Sequence, residues 1–173
     1  AGSCDSMLIV GRREERLREL AGELASTCRV AMAAADLATV EGQAHVVEAI
    51  RQGPPLDLLI NNAGFSTLGP YAASDLDREV EMLRLHGDAT LALTRAALPT
   101  MLERDRGAII NVASVAALLA LPGVATYAAT KAFLLSFSRS LRAELRGTGL
   151  RVQCLCPGYT RTEIHSRATF EGF

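Results

Sequence analysis

No excess of charge of either sign runs through this chain: 18 Lys and Arg stand against 19 Asp and Glu, for a formal net charge of −1 at pH 7. That balance leaves no electrostatic footprint for nucleic acid or an acidic membrane, and neither is expected as a partner. Cysteine is scarce and unpatterned. Cys4 and Cys28 are isolated, Cys154 and Cys156 share one face of a predicted strand, and together they form neither a disulfide framework nor a zinc spacing. They read as small buried hydrophobes in a reducing cytoplasm, and no metal is expected. No basic start precedes an apolar signal-peptide core, and no internal repeat, linker or low-complexity tract is visible. One stretch, 107–130, carries no charge over 24 residues, but Asn111, Ser114, Pro122, Gly123 and Tyr127 interrupt it. It reads as a strand, a loop and a helix start at the centre of a core, not as a membrane span. With 49% hydrophobic and 21% charged residues, 1–173 can bury one sizeable core and is expected to form a single domain.

What is present is alternation. Apolar runs of strand length lie at 7–11, 30–35, 56–60, 107–114 and 150–156. Between them lie helical patterns: 14–25, with Leu17, Leu20 and Leu24 on one side; a weaker one around 43–51, ended by Pro54 and Pro55; one from Asp75 with Ser74 as its cap; 87–103, interrupted late by Pro99; and 125–146, stopped by Gly147 and Gly149. Repeated strand-helix-strand units predict an α/β fold, a doubly wound parallel sheet with right-handed crossovers.

Three residues within this frame have the spacing of a carbonyl-reducing site. Ser114 stands thirteen residues before Tyr127, and Lys131 four after it. The strand run ending at Ser114 puts its hydroxyl at a strand's carboxyl end, where open α/β sheets bind ligands. Tyr127 and Lys131, four apart on a helix, share a face. Lowering a phenol's pKa by about two to three units takes roughly 3 to 4 kcal/mol, which a close ammonium in a dry cleft can supply. A tyrosine so placed becomes a usable proton donor or acceptor near neutrality.

The likeness extends along the chain. Asn61-Asn62-Ala63-Gly64 closes the run 56–60, Asp36-Leu37 follows 30–35, and Pro157-Gly158-Tyr159-Thr160-Arg161-Thr162 follows 150–156. With Ser114 and Tyr127-x-x-x-Lys131, these five motifs in order resemble the short-chain dehydrogenase/reductase family. The resemblance implies a Rossmann-like fold and a nicotinamide cofactor along the strands' carboxyl ends. Asp36 and Leu37 would lie at the adenine, Asn62, Ala63 and Gly64 at the ribose, and Tyr127, Lys131, Pro157, Gly158, Thr160 and Thr162 at the nicotinamide end. Ser114, Tyr127 and Lys131 would be catalytic. The family implies the reaction, ketone or aldehyde to alcohol and back, and not the substrate. The helices at 87–103 and 125–146 resemble those through which members form dimers or tetramers, and Phe133, Leu134, Phe137, Leu141 and Leu145 form an apolar stripe on the second.

Cofactor choice is read at the end of the first strand. A carboxylate there would hold the 2′-hydroxyl of NAD and repel the extra phosphate of NADP. The sequence instead has Gly11 followed by Arg12 and Arg13, which favours NADP(H) over NAD(H). Arg12 is the expected phosphate contact, and Arg13 is shared with the surface of the helix starting beside it.

The chain departs from the family pattern in two ways. The glycine-rich phosphate turn and the strand before it have no counterpart, and the family's last strand lies beyond Phe173, so the Rossmann-like fold is expected to be incomplete at both ends. Loss of that first strand predicts a gap of roughly 10 Å across the sheet. The other departure is His86, at a place where members usually carry an asparagine that shapes the backbone and holds a water linked to the lysine. An imidazole with its ordinary pKa near 6.5 could hold that water or pass the proton itself, which makes His86 a fourth catalytic candidate. His45 and His165 have no such context, and Arg161 and Arg167 fall where members have a substrate lid. Two other functions are compatible with the residues: a non-catalytic remnant acting as an association module, and an isomerase or dehydratase using His86 as an added acid-base group.

Overall fold

The computed structural model describes residues 4–158. Two parallel sheets form its centre. In the first, β1 (Ser6–Gly11) pairs with β2 (Arg29–Ala34), from Ser6 opposite Arg29 to Gly11 opposite Ala34. In the second, β4 (Gly107–Val112) lies between β3 (Leu58–Asn61) and β5 (Leu150–Leu155). Both pairings of that sheet are parallel, with Leu59 opposite Ile109 and Ile109 opposite Val152.

The expected break between the first two strands and the rest is present, since β1 and β3 are not hydrogen-bonded neighbours. Side-chain packing nevertheless spans the break. Helix α2 (Val40–Gln52) packs on α4 (Ala89–Glu103), and one apolar cluster runs from Ala33, Val46 and Ile50 through Leu93 and Ala97 to Ile109, Leu141 and Val152. Burial of aliphatic surface therefore joins the two sheets where backbone pairing does not.

Several helix boundaries differ from the sequence reading. In α1 (Glu14–Leu24) only Leu17 is buried, while Leu20 is exposed. Helix α2 starts earlier than expected because Thr39 Oγ1 accepts from the Gly42 N–H at 3.0 Å and caps it. For α3 (Leu76–Leu83) the cap is Asp75, accepting from Asp77 N at 3.0 Å, and not Ser74, whose hydroxyl donates to Tyr71 O. The helical path then continues through a π-helical turn, Arg84–Asp88, into α4, where Pro99 is accommodated without ending the helix. The last helix, α5 (Ala125–Glu144), follows Gly123 at φ 77 and precedes Gly147 at φ 90, two left-handed positions where glycine lets the chain turn. No described helix is long and apolar enough to cross a membrane, and no described group of three or more His, Cys, Asp or Glu could hold a metal ion.

Candidate active site

The carboxyl ends of β3, β4 and β5 lie at one edge of the second sheet because its strands are parallel. Ser114 leaves β4 in extended conformation, and its Oγ accepts from the Ala116 N–H at 3.2 Å, opening the short 3-10 turn Val115–Leu118. An oxygen that already accepts keeps its own hydrogen for an outside acceptor. That turn packs on α5, and Val115 N donates to Pro157 O at 3.0 Å, which ties the Pro157-Gly158 segment to the serine.

On α5 the tyrosine and lysine meet as their spacing requires. Lys131 is 5% exposed, donates from Nζ to Val112 O at 2.8 Å, and holds Nζ 5.6 Å from the centroid of the Tyr127 ring. Burial lowers its pKa to about 8, against the opposing influence of the Cys154 and Cys156 thiols. Of its three ammonium hydrogens, Val112 takes one, and the other two have no partner among the described residues.

His86 completes the cluster. The π-helical turn carries it into the interior, where it is 1% exposed, with its ring centroid 6.0 Å from Tyr127 in an edge-on arrangement and 6.5 Å from Phe65. Such turns inside α-helices often mark functional positions. Nδ1 lies 2.7 Å from Thr130 Oγ1, while Nε2 has no hydrogen-bond partner among the described residues. Gly64 leaves the room for it, since a Cβ there would stand 2.4 Å from Nε2. Burial first, and then the Lys131 ammonium, push the His86 pKa down to about 3. The ordinary value near 6.5 expected from sequence therefore does not apply, and the imidazole is neutral at physiological pH.

This depression has a stability consequence. Below pH 6.5 the unfolded chain takes a proton at His86 that the folded chain refuses until about pH 3, so stability falls as pH falls through that window. The slope is about 1.4 kcal/mol per pH unit, and we expect ~2 kcal/mol to be lost between pH 6.5 and 5. Urea unfolding at pH 7 and pH 5 should show this extra loss in the natural protein and not in His86→Asn. Equal losses would show that His86 already titrates in the folded state.

Sequence reasoning missed a polar network directly beneath the site. Asn111, fully buried in β4, accepts at Oδ1 from Asn61 Nδ2 (2.8 Å) and donates to Ser138 Oγ (2.9 Å), and Ser138 donates to Leu134 O (2.6 Å). Asn61 Nδ2 also reaches Thr94 Oγ1 at 3.2 Å. These bonds fix α4 and α5 to the strands that present Ser114 and the Asn62-Ala63-Gly64 turn. Asn111, the one polar side chain inside the apolar run 107–112, was the available signal, because a buried amide needs partners.

The cofactor-facing candidates divide. Asn62 and Ala63 are exposed at the end of β3 with Gly64 beside them, and Leu37 is buried after β2. Asp36 accepts at Oδ1 from Ala38 N (3.0 Å), and its other oxygen lies 3.6 Å from Arg12 Nη1. Arg12 is half-exposed at the end of β1 and also reaches Glu81 Oε1 at 3.5 Å; Arg13 is exposed at the N-cap of α1. Thr160, Thr162, Arg161, His165 and Arg167 lie outside the described residues.

The family model for short chain dehydrogenases matches residues 3–170. The chain belongs to that family. A short-chain dehydrogenase from Sphingobium yanoikuyae in complex with NADPH superposes with a TM-score of 0.90 at 33% identity, covering 96% of this chain and 66% of that one. Sulfoacetaldehyde reductase 2 of Chromohalobacter salexigens is 38% identical over 163 residues, which are 92% of this chain and 64% of that protein. An NADP-dependent 3-hydroxy acid dehydrogenase from Escherichia coli K12 is 34% identical over 171 residues, 96% of this chain and 67% of the relative. The chain thus spans about two thirds of the length of these short-chain dehydrogenases.

Proposed function

We propose that the protein is an NADP(H)-dependent oxidoreductase that interconverts a small-molecule ketone or aldehyde and the corresponding alcohol. The observation that carries this reading is the buried Lys131 amine, anchored on Val112 O and facing the Tyr127 ring. A cation held in a dry site beside a phenol stabilises the negative charge that appears on the phenolic oxygen when its proton leaves.

The residues present fit a nicotinamide cofactor. Gly64 is bare backbone against the His86 ring, and among the described residues Nε2 is an orphaned buried polar atom and two Lys131 hydrogens are unspent. Asn62, Ala63 and Gly64 would lie along the ribose with Lys131, Asp36 and Leu37 near the adenine, and Pro157 and Gly158 at the nicotinamide end, for which Thr160 and Thr162, outside the described residues, are further candidates. Bound NADPH would supply a hydride to the carbonyl carbon. Ser114 donates its free hydrogen to the carbonyl oxygen, Tyr127 donates a second and then delivers the proton, and Lys131 holds the charge that Tyr127 retains. His86, neutral at physiological pH, accepts a hydrogen bond in this scheme and carries no charge. The relatives support NADP: one structural neighbour contains NADPH, and the Escherichia coli relative is NADP-dependent. Exposed Leu91 and Leu102 on α4, and Phe133 stacked on Phe137 of α5, support pairing of two copies through those helices, while Leu134, Leu141 and Leu145 of the stripe are core.

NADPH consumption with a panel of ketones and aldehydes tests the reaction; a protein that oxidises NADPH with none of them is not this enzyme. Arg12 tests the cofactor. A charge-assisted bond to phosphate contributes about 1.5 to 3 kcal/mol, so we expect Arg12→Ala to weaken NADPH by roughly tenfold or more and NADH far less. Fluorescence titration of both cofactors measures this, and equal losses would remove Arg12 from the phosphate site.

A further inference from the structure

The His86–Thr130 contact determines more than where the ring sits. Thr130 Oγ1 lies 2.8 Å from Tyr127 O, to which it donates, and 2.7 Å from His86 Nδ1. A hydroxyl has one hydrogen, and a carbonyl oxygen can only accept. If the hydrogen goes to Tyr127 O, Nδ1 must carry a hydrogen and donate it to Oγ1, and both short contacts are hydrogen bonds. In the opposite arrangement the hydroxyl turns to Nδ1, two oxygen lone pairs face each other at 2.8 Å, and an N–H at Nε2 is left buried without an acceptor among the described residues. Nε2 lacks a partner among the described residues in either case, so the two bonds against one decide for the first.

We infer that Thr130 is a positioning residue that fixes His86 as its Nδ1–H tautomer and so makes the buried Nε2 an acceptor for an O–H donor, a water or a cofactor hydroxyl, beside Gly64. Nε2 has no partner among the described residues on a side chain 1% exposed, and the Gly64 backbone packs against it where a Cβ would stand 2.4 Å away. Burial, and then the Lys131 ammonium, keep the imidazole uncharged. A spacing motif shows none of this, because the tautomer follows from Thr130, three residues after the tyrosine and 44 from the histidine.

The inference rests on the proposed reductase reading for its purpose and on geometry for its content. The test is nitrogen-15 NMR of the full natural chain with labelled histidine, recorded with and without NADPH, for the natural protein, Thr130→Val and Thr130→Ser. We expect a pyrrole-type Nδ1 and a pyridine-type Nε2 in the natural protein and in Thr130→Ser, and loss of that exclusive pattern in Thr130→Val. A Nε2 resonance displaced towards the hydrogen-bonded value before NADPH is added identifies a water; displacement only after addition identifies a cofactor hydroxyl. A protonated Nε2 in the natural protein, an unchanged tautomer in Thr130→Val, or a Nε2 without a hydrogen bond in both states would overturn the inference. Should Thr130→Val fail to fold, the natural protein and Thr130→Ser still decide. Failure of the reductase reading is separable, because a protein with these resonances that reduces no carbonyl keeps the tautomer and loses the reaction.

Discussion

Tyr127→Phe is expected to lower the turnover number for carbonyl reduction by roughly 10²- to 10⁴-fold, the range that a positioned general acid contributes. The phenylalanine keeps the ring that packs edge-on against His86 and faces the Lys131 ammonium, and removes only the oxygen that delivers the proton. Folding and NADPH affinity should therefore change little, by about twofold at most in the dissociation constant. The loss should appear in turnover and in kcat/KM alike, because the missing interaction forms as the alkoxide develops. Stopped-flow NADPH absorbance beside a cofactor titration separates the two effects. A variant that fails to bind NADPH would point to a structural role for the hydroxyl instead.

Lys131→Met should move activity and stability in opposite directions. Activity falls by about 10²-fold or more, since the cation that stabilises charge on the tyrosine is removed. Stability rises. The lowering of the Lys131 pKa from 10.5 to about 8 means that the fold disfavours the charged amine. That penalty corresponds to ~3 kcal/mol. It is partly offset because Val112 O loses its hydrogen bond, at about 1 to 2 kcal/mol. The expected net gain at pH 7 is ~1 to 2 kcal/mol. The penalty is complete below pH 8 and fades as pH rises towards 10.5, so the advantage of the methionine should vanish near pH 10. Denaturant unfolding at both pH values measures it. A methionine variant less stable than the natural protein at pH 7 would show that the ammonium is not held against a desolvation cost.

The parts of this site that sequence made legible are those governed by local periodicity. Two residues four apart on α5 must share a face, and an apolar run ending at a serine must present it at a strand end, so Ser114, Tyr127 and Lys131 were placed by spacing alone. The break between β1 and β3 followed from counting strands against the family pattern. What sequence could not supply depends on the distant partners of each group. Apolar spacing around Arg84–Asp88 does not reveal the π-helical turn that carries His86 into the interior against Tyr127. Its neutrality, and the network joining Asn61, Asn111 and Ser138, arise from residues 27 to 50 positions apart in the chain. Cap residues were missed for a smaller reason: Ser74 and Asp75 are both good caps, and only the backbone direction decides between them.

The central claim is that Tyr127, beside Lys131, protonates an oxygen while hydride reaches the attached carbon. Its most direct measurement follows the label from NADPH carrying deuterium at the transferred position, with a reducible ketone and the full natural chain. The account predicts one deuterium on the carbinol carbon for each NADPH consumed, and suppression of that transfer in Tyr127→Phe. Label released to solvent, or transfer at the natural rate without the phenolic hydroxyl, would contradict it.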